Sequence, residues 1–393
     1  MNTPYPTLAA RFSVFAIVIS QWCPLAFGED APEKAISFGV EKIDDIQIGY
    51  GLAIGDVDGD GKDDILLADQ KEIVWYHNPD WQRHIVAARL SLKDNVCIAA
   101  RDINGDGKVE IAAGANWNPG ETSNRDESGS VHYLIAPEDV TQPWTPVKLP
   151  HDPTTHRMHW VRDGMGKFSL VVLPLHGIDN RGGKGEHGVK VTAYHVPEKP
   201  EDAAQWKTTV LDESMHMTHN FDLIIDPKGG ADQMVIAGRE GLVTLAWSES
   251  KWNRTFQAAD EGFGEVRRNG DITAGIRPLH GNKVTVALGD AIPLVLDESL
   301  NEGHALAIAD VLGTGQRQII AGWRSADASG RVGIRLYAPA QSAGAPWTQH
   351  LIDDNTMACE DLKIADLNGD GKPDIIAAGR NTKNLNIYWN RRK

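Results

Sequence analysis

The chain has 393 residues, 24% of them charged, and an acidic excess that gives a formal net charge of −15. That balance argues against a nucleic-acid or anionic-membrane partner, which it would repel. Three cysteines are too few for a disulfide framework, so stability must come from packing and bound ions.

The N-terminus reads as a secretory signal: Arg11, the apolar run 12–20, then small residues at Ala26 and Gly28. Residues 1–28 are expected to be removed, taking Cys23 with them, and 29–393 to form one domain exported to the periplasm or beyond. No later stretch approaches the roughly 20 apolar residues of a membrane helix, so no membrane anchor is expected. Oligomeric state is left open.

The next stretch, FGVEKID (38–44), looks like a strand without a partner nearby. From about Tyr50 to Ala88 four short alternating segments follow, GLAIGD, DILLAD, EIVWYHN and QRHIVA, which fit half-buried antiparallel strands. Between the first two lies DVDGDGKDD (56–64), which returns as DINGDGKVE (102–110) and DLNGDGKPD (366–374). Oxygen ligands fall at alternate positions: Asp56, Asp58, Asp60, the Lys62 carbonyl and Asp64; Asp102, Asn104, Asp106, the Lys108 carbonyl and Glu110; Asp366, Asn368, Asp370, the Lys372 carbonyl and Asp374. Carboxylates this close repel one another, and a hard cation taking six to eight oxygens, Ca2+, is their natural neutraliser. An EF-hand fails, because its twelfth position would need a bidentate Glu where Leu67, Ala113 and Ala377 stand.

These loops and their strand flanks resemble the FG-GAP/VCBS repeats of integrin α-like propellers. The resemblance implies an all-β, seven-bladed β-propeller with about three structural Ca2+ sites. With the period as a ruler, degenerate copies place blades near 95–149, 155–211, 218–259, 270–296, 303–353 and 359–390. Blade five is short enough to be expected with three strands. Blades two and three carry long polar insertions at 116–129 and 176–188. The chain stops after a third strand, LNIYWN (385–390), while FGVEKID matches the fourth strand WTQHLID (347–353), so the N-terminus is expected to complete the last blade and remove its open edge. A β-solenoid, the alternative, would need no such complement.

If the loops join first and second strands, first-strand starts and second-strand ends share the opposite face, at the channel mouth. The starts are Tyr50, Val96, His156, His219, about Ile272, His304 and Glu360, although strict counting would substitute Arg157 and Asn220 for His156 and His219. The ends are Gln70, Asn116, His176, Arg239, about Asp290, Arg324 and Arg380. His156, His219, His304 and Glu360 suit Zn2+, Mn2+ or Fe2+ better than Ca2+, with His159 and His216 in reserve. Unconnected polar groups in a wet channel are the bland alternative.

The stretches 302–324, 333–339 and 357–380 resemble the propeller domain of aldos-2-ulose dehydratase and its bacterial relatives. That resemblance implies a metal-dependent sugar dehydratase. By position, Arg324 and Arg380 would clamp an anionic or carbonyl group and His304 or Glu360 would act as base or ligand in a β-elimination, with Arg239 and His176 as further catalytic candidates at the mouth. A non-catalytic glycan- or protein-binding propeller, using Trp117 and Trp323 as stacking platforms, is the competing reading. Either way the expected partner is a carbohydrate or another small polar or anionic ligand.

Overall fold

The computed structural model describes Met1 and residues 37–182, 184–289, 291–339 and 346–392. The expected signal segment and Asp290 lie outside the described residues. Ile36–Lys393 forms one compact unit, and its strands make seven four-stranded antiparallel sheets.

Blade one comprises β2 (Gly51–Gly55), β3 (Asp64–Ala68), β4 (Glu72–His77) and β5 (Gln82–Ala88); blade two β6 (Cys97–Arg101), β7 (Glu110–Gly114), β8 (Val131–Ile135) and β9 (Thr145–Leu149). Blade three is β10 (Thr155–Arg162), β11 (Phe168–Pro174), β12 (Val191–His195) and β13 (Lys207–Asp212); blade four β14 (Thr218–Ile224), β15 (Gln233–Gly238), β16 (Gly241–Ser248) and β17 (Lys251–Ala258). Blade five is β18 (Glu265–Asn269), β19 (Ile272–Arg277), β20 (Lys283–Leu288) and β21 (Leu294–Asp297); blade six β22 (Gly303–Ala309), β23 (Gln318–Trp323), β24 (Gly333–Ala338) and β25 (Thr348–Asp354). Blade seven holds β26 (Cys359–Ala365), β27 (Asp374–Gly379) and β28 (Asn384–Asn390), and its outermost strand is β1 (Phe38–Asp45), antiparallel to β28 with Phe38 opposite Asn390.

The blades stack because each sheet is apolar on both faces. Among the described residues a separate apolar cluster fills each junction, for example Trp75 with Ile98 and Ile111 between blades one and two, and Leu52 with Ile376 and Ile387 between blades seven and one. Each fully buried large side chain contributes roughly 1.5–3 kcal/mol. The junction of blades four and five is the thinnest, resting on Val235, Ala237, Leu242, Phe263 and Val266. First strands pack against the first strands of both neighbours, and small residues allow that approach: a Cβ on Gly51 would stand 3.3 Å from the Cys97 Cα, and one on Gly322 2.6 Å from the Cys359 Sγ. The two cysteines are free, buried and part of this packing.

Blade five corrects the expected count, since it has four strands. The segment VRRN, short and charged, carries no loop motif before it turns at Gly270, so the sequence hides β18 and shifts the reading of that blade by one strand. No helix among the described residues is long and apolar enough to cross a membrane.

Candidate functional site

Four first strands share a local irregularity. The pairing of β10, β14, β22 and β26 with its neighbour skips one residue near the strand start, and the skipped residues are His156, His219, His304 and Glu360. A bulge re-aims its extra residue without changing the alternation of those that follow. Strict counting fails at Arg157 and Asn220 because Asp163 and Asp226 follow the skipped histidines by one position more than Asp310 and Asp366 follow His304 and Glu360.

All four side chains are buried, and each imidazole is oriented by its neighbour. Nδ1 of His156 meets the His219 carbonyl at 2.6 Å, Nδ1 of His219 the Gly264 carbonyl at 3.0 Å, and Nδ1 of His304 the Glu360 carbonyl at 2.7 Å. A carbonyl only accepts, so the proton of each ring is assigned to Nδ1 and Nε2 presents a lone pair. Burial first, then the guanidinium of Arg157 or Arg324, drives these three imidazoles well below the usual histidine range. They are neutral at physiological pH, as metal ligands must be.

His219 and His304 converge with a residue that the sequence reading missed. His280, in the turn after β19 with φ 48°, brings Nε2 to 2.7 Å from Nε2 of His219. One ring nitrogen from each of His219, His280 and His304 lies within 4.8 Å of the others. Burial, then the nearby His219, lowers His280 to about 3. With a lone pair on His219 Nε2, either a proton on His280 or a cation has to sit between the two nitrogens. Three neutral imidazoles aimed at one point fit a tetrahedral transition-metal site. His280 occupies the second-strand end of blade five, where counting from the misplaced strand gave Asp290. Glu265, fully buried, takes the first-strand start that had been assigned to Ile272.

The remaining candidates separate. Nε2 of His156 accepts from Arg157 at 3.0 Å, and the ring stacks on Trp117 with centroids 4.9 Å apart. Glu360 has Oε1 3.9 Å from Nε2 of His304, but its carboxylate is gripped by Nη1 of Arg324 at 2.9 and 3.0 Å and by Nη1 of Arg380 at 2.9 Å. Arg324 and Arg380 are therefore committed to Glu360 rather than poised as free anion clamps; Arg324 also pairs with Glu302, and Arg380 lies over the Tyr50 ring. Arg239 is exposed in the β15–β16 turn, and His176 is buried with Nδ1 unpartnered; neither joins the three histidines. His159 packs edge-on against Phe221 and His216 pairs with Glu240. Trp323 is no stacking platform: it is 1% exposed and donates to the Arg331 carbonyl.

On the opposite face, the loops after β2, β6 and β26 share one geometry. In blade one Asp56 accepts from the N–H groups of Gly59 and Gly61, both in the left-handed region, while Asp64 accepts from Val57 and Asn78. Asp374 likewise accepts from Leu367 and Asn390. Asn78 and Asn390 pass their side-chain amides to the neighbouring blade, at the Leu367 and Val311 carbonyls. Carboxylate oxygens of Asp56, Asp58 and Asp64 lie within 4.8 Å of one another, with His77 at the rim, 3.4 Å from Asp58. Asp60 and Asp370 lie beside the ammonium groups of Lys62 and Lys372. In blade two Asn104 accepts from Asp106 and turns its amide to Glu110, and Asp102 accepts from Gly105 and Gly107. Burial raises Asp64 to about 7, Glu110 to about 6 and Asp374 to about 6. Blade six supplies a contrast: Asp310 holds the same turn, yet Leu312 and Thr314 replace the ligands, and the buried ninth position is the neutral Gln318, whose Oε1 accepts from Leu312. Carboxylate at that position accompanies a full ligand set, which fits Ca2+ in the other three loops.

A cavity of about 510 Å³ lies at the far ends of the first strands, away from the histidines, and is lined by residues of β14, β18, β22 and β26. Of its cations Arg267, Arg268 and Lys363, Arg267 stands beside Asp222 and Lys363 beside Asp361.

Two family descriptions match this chain. Residues 56–113 match the FG-GAP-like repeat, and residues 128–286 match the β-propeller domain of aldos-2-ulose dehydratase. The chain is also similar to aldos-2-ulose dehydratase of Phanerodontia chrysosporium, 22% identical over 358 residues that cover 81% of this chain and 37% of that protein. It thus spans little more than a third of that relative's length. Among solved structures it resembles BBS1N in complex with ARL6DN, with 13% identity, 91% and 97% of the two chains covered and a TM-score of 0.57. The WD40 β-propeller domain of Doa1 follows, with 9% identity, 89% and 97% covered and a TM-score of 0.53. These last two share the fold alone.

Proposed function

We propose that this protein is an exported, calcium-stabilised propeller that carries out a metal-dependent β-elimination on a carbohydrate at the channel mouth. The observation that carries the reading is the convergence of His219, His280 and His304 beside Glu360. The similarity to aldos-2-ulose dehydratase supports a sugar as substrate and dehydration as the reaction.

Zn2+, Mn2+ or Fe2+ held by the three imidazoles would polarise a substrate carbonyl and so acidify the neighbouring C–H. Glu360, oriented by Arg324 and Arg380, takes that proton as general base and returns it to the departing hydroxyl, so that the C–H and C–O bonds become a C=C bond and water. The two guanidiniums fix the carboxylate and leave its reach toward His304 open. Trp117, half-buried against His156, offers an aromatic edge to a sugar ring at the mouth. Calcium in the loops of blades one, two and seven is structural.

Metal analysis of the purified protein, together with His304→Ala, tests the reading. The variant should lose the transition metal and the eliminase activity while keeping calcium and its fold. Retention of both metal and activity would move the site to other ligands, whereas a wild type with neither transition metal nor eliminase activity would point to a glycan-binding propeller, a reading favoured by the engagement of both arginines with Glu360.

A further inference from the structure

We propose that Glu265 is the positioning residue of His219, holding its ring so that Nε2 faces His280 and His304. The proposal rests on the metal reading above.

Glu265 opens β18 and is fully buried. Its Oε1 lies 3.2 Å from Nδ1 of His219 and has no hydrogen-bond partner among the described residues. The other oxygen is held by the Asn220 amide, with Nη1 of Arg267 at 3.5 Å. The carboxylate therefore sits behind the ring, on the side away from the nitrogen that meets His280, and cannot ligate at the same centre. It acts through the imidazole.

A buried acceptor without a donor costs roughly 1–3 kcal/mol, and the nearest N–H is Nδ1 of His219. The Gly264 carbonyl takes that proton, and the Glu265 carboxylate stands beside it, consecutive along the chain and close enough to act on the ring by its charge. Among the described residues, Nδ1 of His156 and of His304 is paired with a backbone carbonyl and with no carboxylate. A cation at Nε2 strengthens Nδ1–H as a donor, and a carboxylate behind the ring then stabilises the loaded form. Removing such a partner typically weakens metal affinity about 10–100-fold.

The experiment measures Zn2+ affinity by chelator competition in the wild type, Glu265→Gln and Arg267→Gln, with thermal melting as the control for folding. Glu265→Gln should bind Zn2+ about 10–100-fold more weakly, and Arg267→Gln, which keeps the carboxylate but removes a cation beside it and beside Asp222, should lose distinctly less. Unchanged affinity in Glu265→Gln, or an equal loss in both variants, overturns the proposal while leaving the metal site standing. A wild type that binds no Zn2+, Mn2+ or Fe2+ removes the metal reading and this one with it. If Glu265→Gln does not fold, Glu265→Asp keeps the charge but withdraws it from His219, and undiminished affinity there is equally decisive against the proposal.

Discussion

Calcium removal across a pH series gives the most quantitative check on the rear loops. In the calcium-free protein Asp64 and Asp374 are buried carboxyls raised from 3.8 to about 7 and about 6. A carboxyl whose folded pKa is raised contributes stability that is complete below its unfolded pKa and is lost as pH climbs through the folded value. Calcium in each loop would cancel that loop's share of the loss, since it binds the ionised carboxylate. The calcium-dependent part of the unfolding free energy should therefore grow with pH: from pH 5 to 8, Asp64 contributes about two pKa units and Asp374 and Glu110 about one each, near 5 kcal/mol together at 1.36 kcal/mol per unit. Denaturant unfolding at each pH, with saturating calcium and with chelator, supplies the difference directly. With a calcium-selective chelator that leaves the histidines as they are, their contributions are common to both arms and cancel. A difference that stays flat or shrinks toward pH 8 would refute the assignment of these carboxylates to a cation.

Three further outcomes are expected. Glu360→Gln should abolish elimination and, by leaving two guanidiniums beside a neutral amide, lower stability by about 3 kcal/mol in denaturant titration; unchanged activity would remove Glu360 as the base. Deleting Phe38–Asp45 exposes the edge of β28 and should produce aggregates by size-exclusion chromatography, whereas a soluble monomer with an unaltered melt would contradict the role of β1. His132 is 4% exposed and lowered by burial to about 4, so its contribution is present above pH 6.5 and lost as pH falls toward 4, about 3 kcal/mol in all; His132→Gln should flatten that part of the acid limb, and an unchanged limb would show that other groups set it.

The architecture was legible because its determinants are local and repeated. Nine-residue loops with glycines at fixed places, short alternating strands and the match of FGVEKID to WTQHLID each state a blade in a few residues. Blade five was illegible for the converse reason: β18 has no loop motif behind it and its arginines look like a solvated turn. That one slip concealed both Glu265 and His280, since each was to be found only by its station in the ring. The stations of His156 and His219 were readable, but their bulges were not, because a bulge is a property of pairing with the next strand. Least visible of all were the assignments of partners. Arg324 and Arg380 stand where the sequence put them, yet nothing in a linear pattern says that they grip Glu360.

The bulges have an evolutionary consequence. A skipped residue has no cross-strand neighbour, so exchanging it leaves the register and the apolar contacts between blades as they were. Exchange at His156, His219, His304 or Glu360 thus spares the strand pairing, although the partners each has gathered, such as Arg324 and Arg380 on Glu360, must change with it. A propeller built this way can change its chemistry one blade at a time, by substitutions at the mouth and in the few side chains that face them, without altering its register.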